Sequence, residues 1–154
     1  MNIVKTIDQY NDTNVYFCDP IKNNVMNEGT CIRIIYSNEL FVLNGINLFV
    51  QLNNVSLDKY YNKYKCSFNI GAHKEIIDLL RIIEDNLLKK INIKNKIPQY
   101  KIYDQMKNGN IKLFLENTNF EKFTNNLFML KISGIWETDT HYGLTYKFLQ
   151  ANNP

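Results

Sequence analysis

Three cysteines, two histidines and a scatter of carboxylates are the groups in this chain that could make or break bonds. His73 and His141 stand far apart, outside any H-E-x-x-H or H-x₃-H spacing that would aim two imidazoles at one zinc ion. Cys18, Cys31 and Cys66 are odd in number and form no C-x-x-C pair, which fits free, mostly buried thiols in a reducing compartment. Ser133 precedes Gly134 but lies in no G-x-S-x-G elbow, and no glycine loop suited to phosphate appears. Glu116, Glu121, Glu137 and Asp139 could act as acid and base only if folding brought two of them together, because their spacing singles out none. The sequence therefore points away from an enzyme: no catalytic residue, no metal ligand set and no small-molecule cofactor is expected.

What does recur is lysine interleaved with aromatics. "KYYNKYKCSF" carries Lys59, Tyr60, Tyr61, Lys63, Tyr64 and Lys65; "QYKIYDQMK" carries Tyr100, Lys101, Tyr103 and Lys107; "THYGLTYKF" carries Tyr142, Tyr146 and Lys147. Binding a single strand needs this pairing. Lysines track the phosphates and release counterions, while aromatic faces stack unpaired bases. Composition tempers the signal. Lys, Asn, Ile, Tyr and Phe are what AT-rich codons supply, and a net charge of +3 permits a polyanion without requiring one.

These residues need elements to hold them. The length of 154 residues suits one domain, 1–154, and aromatics at 13% lean toward strands. Residues 15–22 read as a strand broken near Pro20, and "NNVMNEG" as loop. "TCIRIIYS", 30–37, alternates with Ile32 and Ile34 on one face and Cys31, Arg33 and Ile35 on the other. "LFVLNGINLFVQL", 40–52, is one long bent strand or two short ones about Asn44-Gly45. Residues 60–70 read as a strand with Tyr64, Cys66, Phe68 and Ile70 inward and Lys63 and Lys65 outward. The clearest helix is 73–91, where Ile76, Leu80, Ile83, Leu87 and Ile91 make an apolar stripe. "PQYKIYDQM", 98–106, reads as a strand, 111–117 as another, and 118–126 as polar loop; 127–137 and 143–149 form a closing hairpin. Strands, one helix, then strands predicts a mainly β, α+β fold: an OB-like Greek-key barrel of about seven or eight strands with one main amphipathic helix near 73–91. The main competitor is an open α+β sandwich.

Four stretches in order, "ELFVLNGINLFVQL", "LDKYYNKYKCSFNI", "LLRIIEDNLLKK" and "LKISGIWETDTHYGLTYKF", carry a resemblance. Over roughly 15–149 the chain resembles the single-stranded-DNA-binding-like proteins of nucleocytoplasmic large DNA viruses, and more remotely the T7-type phage single-stranded DNA-binding proteins. The closing hairpin, with Lys131, Gly134, Trp136, Gly143, Tyr146 and Lys147, is its most specific part. The resemblance implies a barrel that coats single-stranded DNA in viral replication or recombination, in the host cytoplasm (viral factory) or nucleus, without a cofactor. Two departures stand out. The end "FLQANNP" lacks the acidic tail with which the phage proteins recruit partners, and Asn44-Gly45 replaces a proline of the family pattern.

Single-stranded DNA is the expected partner, with Lys63, Lys65, Lys101, Lys131 and Lys147 toward phosphates and Tyr61, Tyr142, Tyr146 and Trp136 as stacking candidates. A homodimer or other homo-oligomer is compatible with this, and no membrane is expected because no apolar run approaches the length of a spanning helix. The N-terminus shows no apolar secretory core, so secretion is not expected. The alternative is a structural or assembly protein of a virion or replication factory, with an exposed apolar strand edge such as Leu40–Leu52. Alternation along 127–137 puts Phe128, Leu130, Ile132 and Trp136 on one face. That favours the core for Trp136 and leaves Lys131, Tyr142 and Lys147 as the outward contacts.

Overall fold

A computed structural model describes residues 4–22, 29–61, 63–114 and 127–150, with backbone alone for Tyr60 and Phe114. The loop expected at 118–126, most of that at 23–29, Glu116, Glu121 and the end of the tail lie outside the described residues. The chain is mainly β with an α+β, barrel-like, OB-like sheet architecture. Its strands are β1 (Val15–Phe17), β2 (Ile21–Lys22), β3 (Thr30–Ser37), β4 (Val42–Asn44), β5 (Ile46–Gln51), β6 (Ser56–Tyr60), β7 (Lys63–Ser67), β8 (Ile97–Gln99), β9 (Asn110–Phe114), β10 (Leu127–Glu137) and β11 (His141–Gln150). Helix α1 spans Lys74–Ile91 and α2 spans Lys101–Lys107. Among the described residues the sheet counts eleven strands, several of them short, where seven or eight are expected. Long strands are interrupted near Pro20 and Gly45, and 56–67 folds back on itself at Tyr61 as a hairpin.

The sheet runs β1-β3-β10-β11-β9-β7-β6, and β10 inside it meets three strands, β3, β5 and β11. One edge of β10 pairs with β11 along its length. The other pairs first with β5, Leu127 opposite Gln51 through Ile132 opposite Ile46, and then with β3, Gly134 opposite Arg33 through Glu137 opposite Thr30. The handover is matched on the opposing chain at Gly45, where φ is +89° and the strand leaves β3 for β10. Glycine tolerates that angle where a side chain is strained. Asn44-Gly45 is thus a kink between two strands rather than a hairpin turn.

At the same level β10 takes an extra residue. Ile132 faces Tyr146 and Gly134 faces Thr145, so Ser133 has no partner and bulges. The phase of the strand inverts there. Phe128, Leu130 and Ile132 are buried before the bulge, and Ile135 after it, while Trp136 turns to the outer face and is half-buried. This overturns the strict alternation that placed Trp136 with Ile132 and set Ile135 opposite. Tyr142 is corrected in the reverse sense: it shares the inward parity of Leu144 and Phe148 and is buried, away from the face of Lys131 and Lys147.

Helix α1 buries Ile77, Leu80, Ile83, Leu87 and Leu88, close to the predicted stripe, with Ile76 and Ile91 only half-covered. It also buries a carboxylate. Glu84 is fully enclosed and accepts the backbone N–H groups of Ile102 (3.0 Å) and Tyr103 (2.9 Å) at the start of α2. Residues 98–106 are therefore a short strand and a helix, not one strand. Ile102 and Met106, four apart, are the buried positions of α2, and Glu84 satisfies donors that every helix start leaves open.

Candidate nucleic-acid interface

The strand register brings four lysines into one row on the outer face of the sheet. Lys65 of β7 lies opposite Lys112 of β9. Phe148 lies opposite Leu113, so Lys147 of β11 and Lys112, one residue earlier on parallel strands, are neighbours. Lys147 lies opposite Lys131 of β10, and Lys131 opposite Asn47 of β5. The flanking residues Cys66, Ile111, Leu113, Leu130, Ile132 and Phe148 are all buried, which fixes the lysines on the other side of each strand. With strands about 4.8 Å apart, the row spans about 14 Å. Like charges directly opposite one another destabilise a sheet, so folding alone gives no reason for this arrangement. Ion pairs Lys89–Asp85, Lys96–Glu137 and Lys107–Asp104 lie elsewhere, on α1, beside β8 and on α2. Asp58, opposite Lys65, closes one end of it.

The remaining candidates fall around this row or away from it. Lys63 lies two residues beyond Lys65 on the same face, and Tyr61 sits at the β6–β7 hairpin tip with φ +57° and 84% of its surface exposed. Trp136 lies about 14 Å along the face, at the level of Gly143, four residues from Lys147. Its indole rests against Gly143, where an added Cβ would stand 2.8 Å from the ring, and the Lys101 Nζ lies 4.6 Å from the ring centroid. That contact is a cation–π pair between the first residue of α2 and the sheet. Arg33 lies between the two, opposite Gly134 and exposed. Tyr146 is engaged elsewhere: its hydroxyl donates to Gln105 Oε1 (2.8 Å), and burial pushes its pKa up to about 12. Tyr142, being buried, offers no face to a base.

No family model, curated protein or solved structure matches this chain.

Three of the groups that could make or break bonds, Glu137, His73 and Cys66, have structural roles. Glu137 accepts from Lys96 Nζ (2.5 Å) and Thr30 Oγ1 (2.7 Å), and these donors, Lys96 first, hold its pKa below the usual carboxylate range. It clasps β10 to β3 and to the segment before β8. His73 is buried, with Nδ1 2.6 Å from the Asn69 carbonyl oxygen and Nε2 accepting the Asn53 N–H. That pairing requires the neutral ring protonated on Nδ1. Burial raises the Cys66 thiol to about 12, the inert condition of a core cysteine. Among the described residues, no three His, Cys, Asp or Glu side chains gather as a metal site, and no helix is long and apolar enough to cross a membrane. A groove of about 1070 Å³ between α1 and α2 sets Asp78, Asp85 and Asp104 among Arg81, Lys89 and Lys101, an alternation of sign poorly suited to a polyanion.

Lys112 and Arg33 were not among the candidates read from the sequence. Lys112 was legible as outward-facing, between Ile111 and Leu113, but its place in a row depends on which strands lie beside it.

Proposed function

We propose that this chain is a non-enzymatic single-stranded nucleic-acid-binding protein, with single-stranded DNA as its partner, acting in viral DNA replication or recombination. The observation that carries the reading is the row of Lys65, Lys112, Lys147 and Lys131 across four neighbouring strands. A line of cations about 14 Å long on a sheet face follows a flexible phosphate backbone, and each phosphate neutralised releases counterions. The viral setting rests on the sequence resemblance, and on nothing in the fold.

Fluorescence anisotropy of a labelled oligo-dT tests this. Lys112→Glu and Lys131→Glu should each weaken binding at least tenfold without loss of fold. Neutralising four phosphates of a single strand predicts a slope of log K against log salt of about −3. Binding to duplex as tight as to the single strand, or no binding at low salt, would overturn the proposal.

One observation favours the assembly reading as a second. Tyr16, Leu40 and Val42 are 57%, 88% and 67% exposed, and Tyr16 and Leu40 line one shallow hollow beside Ser37, the strand partner of Val42. Exposed apolar patches mark surfaces where proteins meet.

A further inference from the structure

On one side of Lys131 and Lys147 the outer face carries apolar residues. Phe49 of β5 lies opposite Met129 of β10, and Met129 opposite Leu149 of β11. All three are half-buried and have the parity opposite to the enclosed Leu48, Val50, Phe128, Leu130 and Phe148. They stand two residues along their strands from Asn47, Lys131 and Lys147, about 7 Å away. Farther across the same face Lys63 stands one residue beyond the Tyr64–Leu113 pair, near the exposed Tyr61 at the hairpin tip. The outward face of an antiparallel sheet is ordinarily polar. On β10 and β11 a cationic level, Lys131 and Lys147, lies beside an apolar one, Met129 and Leu149, which Phe49 extends onto β5.

We infer that Phe49, Met129 and Leu149 form a shelf for the unpaired bases of a single strand whose phosphates lie along the lysine row. The inference rests on the proposed function and specifies where the bases go. Charge complementarity selects the occupant: the lysines fix a polyanion alongside, and within one nucleotide the base stands off the phosphate by a distance of the order that separates the two levels. Phe49 supplies an aromatic face, and the Met129 thioether and Leu149 supply adaptable apolar surface that favours no particular base. Trp136 is far along the face with Lys101 over its ring, so bases on the shelf leave it untouched.

The test compares oligo-dT with an abasic deoxyribose-phosphate strand of equal length, on the full chain. The unaltered protein should bind oligo-dT at least tenfold more tightly than the abasic strand, with Trp136 emission unchanged. Phe49→Ser and Leu149→Ser should each lower oligo-dT affinity about five- to tenfold and leave abasic affinity as it was. Equal binding of the two strands by the unaltered protein overturns the shelf and leaves the phosphate row standing. A preference for oligo-dT that quenches Trp136 and survives Phe49→Ser places the bases elsewhere and also overturns it. No binding of either strand at low salt removes the proposed function and the shelf with it.

Discussion

Glu84 is enclosed by apolar side chains, holds two backbone donors, and has Asp104, Tyr100 and Tyr146 as titratable neighbours. Burial raises its pKa to about 7, against the opposing pull of the Tyr103 and Ile102 N–H groups. A carboxyl whose folded pKa exceeds its unfolded value keeps its proton longer when folded. Folding then takes up protons between the two values, and stability falls as pH rises from about 4.5 to about 7. A shift of this size corresponds to roughly 3 kcal/mol at most. Denaturant melts of the unaltered chain and of Glu84→Gln at pH 5 and pH 8 should show the difference between the two proteins changing by about 2–3 kcal/mol, with the unaltered chain losing ground at the higher pH. A pH-independent difference would mean that Glu84 titrates as an ordinary carboxylate. No sequence pattern announces this residue: on the helical stripe it is one more charged position, and its partners lie 18 and 19 residues on.

At the scale of elements, local periodicity was legible wherever a segment keeps one phase. It was lost where a distant contact resets that phase. Helix α1 and β3 follow from apolar spacing alone, and the closing hairpin follows in outline; the strand expected over 60–70 is confined to Lys63–Ser67, and Ile70, expected inward, is exposed. Helix α2 does not follow, because its seven residues are too few to show a stripe and its start is held by Glu84. The bulge at Ser133 does not either, since it depends on how closely β3 approaches Gly134. A Cβ on Gly134 would collide with the Ile32 carbonyl oxygen, a backbone atom of β3. A Cβ on Gly143 meets the Trp136 indole, a half-buried side chain rather than backbone. Gly134→Ala should therefore cost about 3 kcal/mol or more and Gly143→Ala about 1–2 kcal/mol, the second with a red shift of tryptophan emission. Thermal unfolding followed by fluorescence reads both. Equal costs would place the tight approach elsewhere.

Over the whole molecule, a modest net charge of +3 conceals a strong segregation of cations. The inner face of the sheet was readable on β3 and on β10 as far as Ile132, and was misread beyond the bulge at Ser133 and at Tyr142. The lysine row was not readable, because it exists only through the order β7-β9-β11-β10, in which neighbours in space are far apart in sequence. The second feature at this scale is the exposed set Tyr16, Leu40 and Val42, carried by β1 and by β4 and the residues just before it, with β3 between them and β10. If it mediates self-association, light scattering should give a mass above that of the single chain of 18.2 kDa, and Val42→Lys with Leu40→Lys should return the monomer while oligo-dT binding persists. A monomer at high concentration before any substitution would leave the patch without that role.

The position of β10 inside the sheet bears on how the chain is made. On the ribosome, β3 and β5 emerge long before Leu127, yet both direct backbone donors and acceptors at a strand that is still to be synthesised. At translation speeds of about 5–20 residues per second, the nascent chain carries those open edges for several seconds. Its fold can be completed only when the segment from Leu127 to Gln150 clears the exit tunnel and threads between edges already waiting for it.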